Sequence, residues 1–119
     1  MADGTIDHPA LHQHLVGTIG ELGRELPGPM QGYFQMHAEA TKDGALSKRV
    51  KELVALAISI CVHCGGCIAY HTHDALRAGA TREEVLDVIG VAVMMGGGPA
   101  VVYASQAYEA LDQFEAKLR

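Results

Sequence analysis

The stretch Cys61–His73, CVHCGGCIAYHTH, holds all three cysteines of the chain and three of its seven histidines. Cys64 and Cys67 make a C-x-x-C pair, and His71 follows four residues later. His63 to Gly66 offers flexible backbone for a reversal. A helix is expected to begin at Gly65 or Gly66 and to run to Ala78, with Gly79 just past its end. A C-x-x-C at a helix start sets both sulfurs on one face, near enough to form a disulfide. Amide N–H groups and the helix dipole there favour a thiolate. His71 lies one turn beyond Cys67 on the same face, so it can exchange or stabilise the thiol proton.

Upstream, Ser47 is a plausible N-cap for a helix from Lys48 to about Val62. Its stretch Leu53–Val62 is apolar almost all round, which predicts burial on every side. Glu52 stands at the head of that run, twelve residues before Cys64. On one straight helix that separation spans about 18 Å. A reversal near His63 makes the two helices antiparallel and lets Glu52 meet His71, directly or through a water. An unpaired buried carboxylate is costly, so Glu52 needs such a partner.

The remaining chain reads as helix throughout. Leu11, Leu15, Ile19, Leu22 and Leu26 recur at helical spacing, weakened by Gly17, Gly20 and Gly23 unless these allow close packing. Pro27-Gly28-Pro29 ends that helix, and Met30, Tyr33, Phe34 and His37 mark one face of a second, ending near Gly44. Thr81 and Glu84 predict a capping box for a helix to about Met95. Gly96-Gly97-Gly98 breaks it, and Pro99 fits the first turn of a last helix to about Lys117. Val101, Ala104, Tyr108, Leu111 and Leu118 form its expected apolar seam. Residues 1 to about 8 are polar, expected to fray or to serve in a contact. The expected fold is all-α, a compact bundle of about six helices in one domain, 1–119, with the C-x-x-C at the start of a buried helix.

Composition narrows the function classes. A net charge of −5 argues against nucleic acid as a partner. No basic cluster points to a membrane surface, and the apolar runs are too short to span one. The N-terminus has no apolar signal segment, so a reducing cytoplasm is the expected location. There a C-x-x-C points to catalysis or metal binding rather than to a structural disulfide. Two nearly all-apolar helices exceed what so small a domain covers, which predicts burial between subunits of a homo-oligomer.

Glu52, Cys64, Cys67 and His71 read E-x11-C-x2-C-x3-H, flanked by KELVALAIS, CGGCIAYH and GATREEV. Over roughly residues 30 to 110 the chain resembles the alkylhydroperoxidase D-like, carboxymuconolactone decarboxylase superfamily. The resemblance implies an all-helical fold assembled as a trimer or hexamer and a cofactor-free thiol peroxidase or disulfide reductase activity. It implies Cys67 as the peroxidatic thiol, Cys64 as the resolving one, and Glu52 with His71 as a proton relay. It implies a hydroperoxide substrate and a dithiol reductant protein, lipoyl-carrying or thioredoxin-like. Two departures stand out. The namesake peroxidase has a His between its cysteines where this chain has Gly66, and the decarboxylase branch generally lacks the pair.

Other readings of the same residues are a zinc-binding or redox-sensing module without turnover, and a cofactor-free decarboxylase or other lyase. A compact zinc site on the cysteines would need a second ligand pair from elsewhere, and none is evident, so no metal site is assigned. Cys61 reads as a core residue, His63 and His73 as turn and surface residues, and His37 as a hydrogen-bonded face residue. Met94 and Met95 read as core packing. His8, His12 and His14 could bind metal adventitiously, but read as a solvated terminus. The Gly96–Gly98 run lacks the Lys of a phosphate loop.

Overall fold

The computed structural model describes residues 3–118. Six helices follow one another: α1 (His8–Glu25), α2 (Pro27–Thr41), α3 (Lys48–Cys61), α4 (Gly65–Arg77), α5 (Arg82–Gly96) and α6 (Gly98–Leu118). Local chemistry accounts for most boundaries. Asp7 caps α1 and Ser47 caps α3, each accepting a hydrogen bond from a backbone N–H three residues on. Thr81 and Glu84 close a reciprocal capping box on α5. The prolines after α1 stand inside the first turn of α2, where a missing N–H costs nothing. Of the residues expected to fray, Met1 and Ala2 lie outside the described residues, whereas Asp7 is a cap and His8 is buried.

Helix α3 packs on α4 and α5, and α6 packs on α4 and α5. Leu56, Ile60, Ile68, Val85, Leu111 and Phe114 fill the space between them. The face that α6 buries is Ala100, Ala104, Ala107, Ala110, Leu111 and Phe114. The expected seam is therefore corrected: Ala104 and Leu111 belong to it, while Val101, Tyr108 and Leu118 face outward. Small alanines let α6 approach closely, and apolar periodicity alone does not rank them above larger side chains.

Within one chain α3 is not buried on every side. Val54, Ile58 and Val62 form an exposed strip, with Ile58 56% exposed. Met94 and Met95 are likewise not core residues, at 71% and 73% exposure. Val91, Val101 and Val102 are also exposed on α5 and α6.

The α3–α4 reversal is a Schellman turn. Cys64 N–H donates to the Ser59 carbonyl and His63 N–H to the Ile60 carbonyl. His63 takes the left-handed position at φ 60°, uncommon outside glycine. Its ring stacks on Tyr103 of α6, centroids 4.7 Å apart, which helps hold it there. Gly79 takes the matching position after α4, at φ 99°.

The N-terminal pair is held differently. In α1 only His8 is buried, and in α2 no residue is. Helix α1 lies on α4 and α6, and α2 touches α1 and α3. Among the weakening glycines of α1, Gly23 alone permits a close approach, to the Phe34 ring at 3.1 Å from an ideal Cβ.

Candidate functional site

Cys64 is the N-cap of α4, and its Sγ accepts the Cys67 N–H at 3.2 Å. Cys64 and Cys67 are joined in a disulfide, with Cα atoms 5.2 Å apart. Both half-buried residues border a cavity of about 240 Å³. Leu15 and Ile19 of α1 and Tyr33 and Phe34 of α2 supply its apolar wall, and Tyr70 and His71 of α4 complete it.

Glu52 lies behind this cavity, fully buried. The hairpin brings it directly against His71, whose Nδ1–H donates to Glu52 Oε2 at 2.8 Å. An ionised carboxylate only accepts, so the proton belongs on Nδ1 and Nε2 is the free acceptor of the neutral ring. Burial pushes the Glu52 carboxyl up. The His71 hydrogen bond and charge, with Lys48 and His37, outweigh that and hold it below the usual carboxylate range. Glu52 Oε1 accepts no hydrogen bond, and the half-exposed Lys48 ammonium stands 4.0 Å from it.

Four residues singled out from the sequence thus come together, three on the cavity wall and Glu52 one layer back. Cys61 stands apart, packed against the core with its Sγ 3.5 Å from the Ala92 carbonyl oxygen. Gly66, where the namesake peroxidase has its histidine, has a structural reason: a Cβ there would stand 3.1 Å from Leu15 Cδ1. The apolar wall occupies the space a side chain would need.

Sequence reasoning missed several contributors. His37 of α2 lines the cavity and its ring faces His71, centroids 6.4 Å apart and 20° from parallel. Burial, then Asp74, Tyr33 and Glu52, push the Tyr70 phenol up, keeping it a neutral donor. The shared face of Tyr33 and His37 was legible from their spacing, but not that it borders the cysteines. Of the N-terminal histidines His14 is exposed, as expected, whereas His8 and His12 are packed, and so is His73. His73 pairs with Asp74 at 2.9 Å, His12 stacks on His73 at 3.9 Å, and His8 is wholly buried.

Comparisons with known proteins agree with this architecture. The sequence model of the carboxymuconolactone decarboxylase family matches residues 27–110. An uncharacterised protein of Cupriavidus necator is 40% identical over 98 residues, 82% of this chain and 87% of that relative. An uncharacterised protein from the cox locus of Paracoccus denitrificans is 34% identical over 97 residues, 82% of this chain and 87% of its own. A crystal structure of a carboxymuconolactone decarboxylase family protein from Legionella pneumophila superimposes with a TM-score of 0.86 at 39% identity, covering 90% of this chain and 96% of that one. A family structure from Thermotoga maritima, for which a part in an antioxidative response has been suggested, shares the fold at 24% identity and a TM-score of 0.72, covering 83% of this chain and 91% of that one. Family match, identity and fold converge: the chain belongs to the carboxymuconolactone decarboxylase family.

Proposed function

We propose that the protein is a cofactor-free thiol peroxidase that cycles through the Cys64–Cys67 disulfide. The observation that carries this reading is a C-x-x-C disulfide bordering an apolar cavity, one turn from a histidine held by a buried carboxylate. In the reduced state His71 Nε2 takes the Cys67 thiol proton, and Glu52 stabilises the resulting imidazolium. The Cys67 thiolate attacks the peroxide O–O bond. The sulfenic acid Cys67–SOH forms, and the alkoxide leaves with the proton from His71 as an alcohol. The Cys64 thiol condenses with the sulfenic acid, forming the disulfide and releasing water. A dithiol donor restores both thiols by exchange. The net change is one hydroperoxide and one dithiol to one alcohol, one water and one disulfide. Leu15, Ile19, Tyr33 and Phe34 favour a peroxide or a donor arm with an apolar body.

Peroxide consumption with a panel of dithiol donors, lipoyl-carrying and thioredoxin-like proteins among them, tests the reading. Turnover that vanishes in Cys67→Ser supports it. Wild-type turnover in Cys67→Ser, or none with any donor, refutes it. No helix among the described residues is long and apolar enough to cross a membrane. The reading includes a homo-oligomer, trimer or hexamer, covering the exposed strips of α3, α5 and α6. Sedimentation equilibrium giving a monomer at micromolar concentration refutes that part.

A further inference from the structure

We infer that His37, Glu52 and Asp74 form a site for a divalent transition cation of the zinc class, beside the redox pair. The three come from three helices, α2, α3 and α4, and each offers one ligand atom within 4.8 Å of the others. The independent observation is Glu52 itself. It is fully buried, and its Oε1 has no hydrogen-bond partner while Oε2 is engaged by His71. A buried carboxylate oxygen without a donor is costly, and a coordinated cation supplies the direct contact that Oε1 lacks. Lys48 is half exposed and, at 4.0 Å, beyond hydrogen-bonding range.

The donor set fits the ion. One imidazole and two carboxylates offer nitrogen and oxygen ligands with two negative charges, which a dication neutralises. Three protein ligands leave a tetrahedral ion one open position. Around such an ion, with bonds of about 2.1 Å, ligand atoms stand about 3.4 Å apart. The side chains must therefore close in by up to about 1.4 Å, and neither His37 nor Asp74 is fully buried. Asp74 already accepts from His73 through Oδ1, an outer contact of the kind that orients ligating carboxylates. His37 belongs to the loosely held α2, so the cation ties that helix to the α3–α4 hairpin. The site goes beyond the peroxidase reading and needs none of its steps; the two share Glu52 and the cavity-lining His37.

The test is isothermal titration of tag-free, oxidised protein with Zn²⁺, so that the disulfide removes Cys64 and Cys67 as ligands. Saturable binding of about one ion per chain is expected. His37→Ala and Asp74→Asn should each weaken it at least about tenfold, the lower range for losing even an outer partner. A second cluster, His12, His73 and Asp74, shares Asp74, so His12→Ala is the discriminating control. It should leave the affinity unchanged. Absence of saturable binding by the oxidised wild type overturns the proposal. So does binding that His12→Ala abolishes and His37→Ala spares. Co²⁺ bound to unmutated protein should show d–d bands without thiolate charge transfer, which keeps the proposal testable if a variant fails to fold. Because heat of binding is the readout, the result is independent of whether the thiols turn over peroxide.

Discussion

The α3–α4 hairpin and the α1–α2 arm border the same cavity but are built on opposite terms. The hairpin buries Leu53, Leu56, Ser59, Ile60, Ile68, Ala69, Thr72 and Ala75. It closes on a Schellman turn and carries the disulfide and the Glu52–His71 pair. The arm buries one side chain, His8, and leaves Val16, Leu22, Leu26, Tyr33, Phe34 and Met36 exposed. The proposed chemistry is mounted on the rigid half, and the wall that borders it is mounted on the weakly held half. Low local stability belongs where opening is needed, and high stability where distances must not drift.

The strongest way to break this contrast is a core truncation. Leu56→Ala in the hairpin removes a fully buried side chain and should cost about 2–5 kcal/mol of unfolding free energy. Val16→Ala in the arm, where the side chain is 47% exposed, should stay within about 0.5 kcal/mol. Urea unfolding of both variants measures the difference, and equal losses would dissolve the distinction.

Next in size is the proposed relay of Glu52 and His71. Glu52→Gln keeps the shape and removes the charge, and should slow Cys67 oxidation by about 10²-fold in a Cys64→Ser background. His71→Gln should act similarly, and the pair together less than additively. The second-order rate against pH measures this, and unchanged rates would make Glu52 merely structural. Glu52 also leaves a thermodynamic trace. Its folded carboxyl titrates below the ordinary value of 4.5, so its contribution is present above that value and lost as pH falls through the depressed one. Glu52→Gln should lack that acid loss.

His8 sharpens the comparison from the arm's side. Burial lowers its proton affinity, and Glu109 and Asp7 only partly restore it. The unfolded chain takes up a proton near pH 6.5 that the folded one resists, so stability should decline as pH falls through that value. In His8→Leu the decline should shrink. Amide exchange should locate the change in α1, and a uniform change across α3 and α4 would contradict the arm's independence.

The smallest effect is a gain. A Cβ at Gly17 meets nothing within 4 Å, so Gly17→Ala should stabilise the arm by about 0.5–1 kcal/mol. Thermal unfolding with no gain would mean that α1 already limits nothing.

The helices were legible because their ends are written locally, in Ser47, in Thr81 with Glu84, and in Gly79. The site was legible because Glu52 stands in an apolar run where a lone carboxylate makes no sense without a partner. What escaped was everything decided between helices. Met94, Met95, Ile58 and Val62 look like core residues because periodicity reports that a face is apolar, not what covers it. His8 looks like a solvated terminus because nothing adjacent in sequence shows that α6 will close over it. The cavity wall escaped for the same reason, since Leu15 and Phe34 come to border one cavity with Cys67 only through tertiary packing.

Cys64 has two occupations, and they constrain how it is best replaced. Its sulfur is half of the disulfide and also the acceptor for one free amide of the first turn of α4, that of Cys67. Serine in its place keeps an acceptor of the right reach. Alanine removes thiol and cap together, and loss of a cap alone costs about 1 kcal/mol. An alanine variant would therefore mix the loss of the proposed resolving thiol with a frayed helix start, and the fraying would reach Cys67, whose amide made the bond. Serine separates redox chemistry from scaffold, and the difference between the two variants measures the capping role on its own.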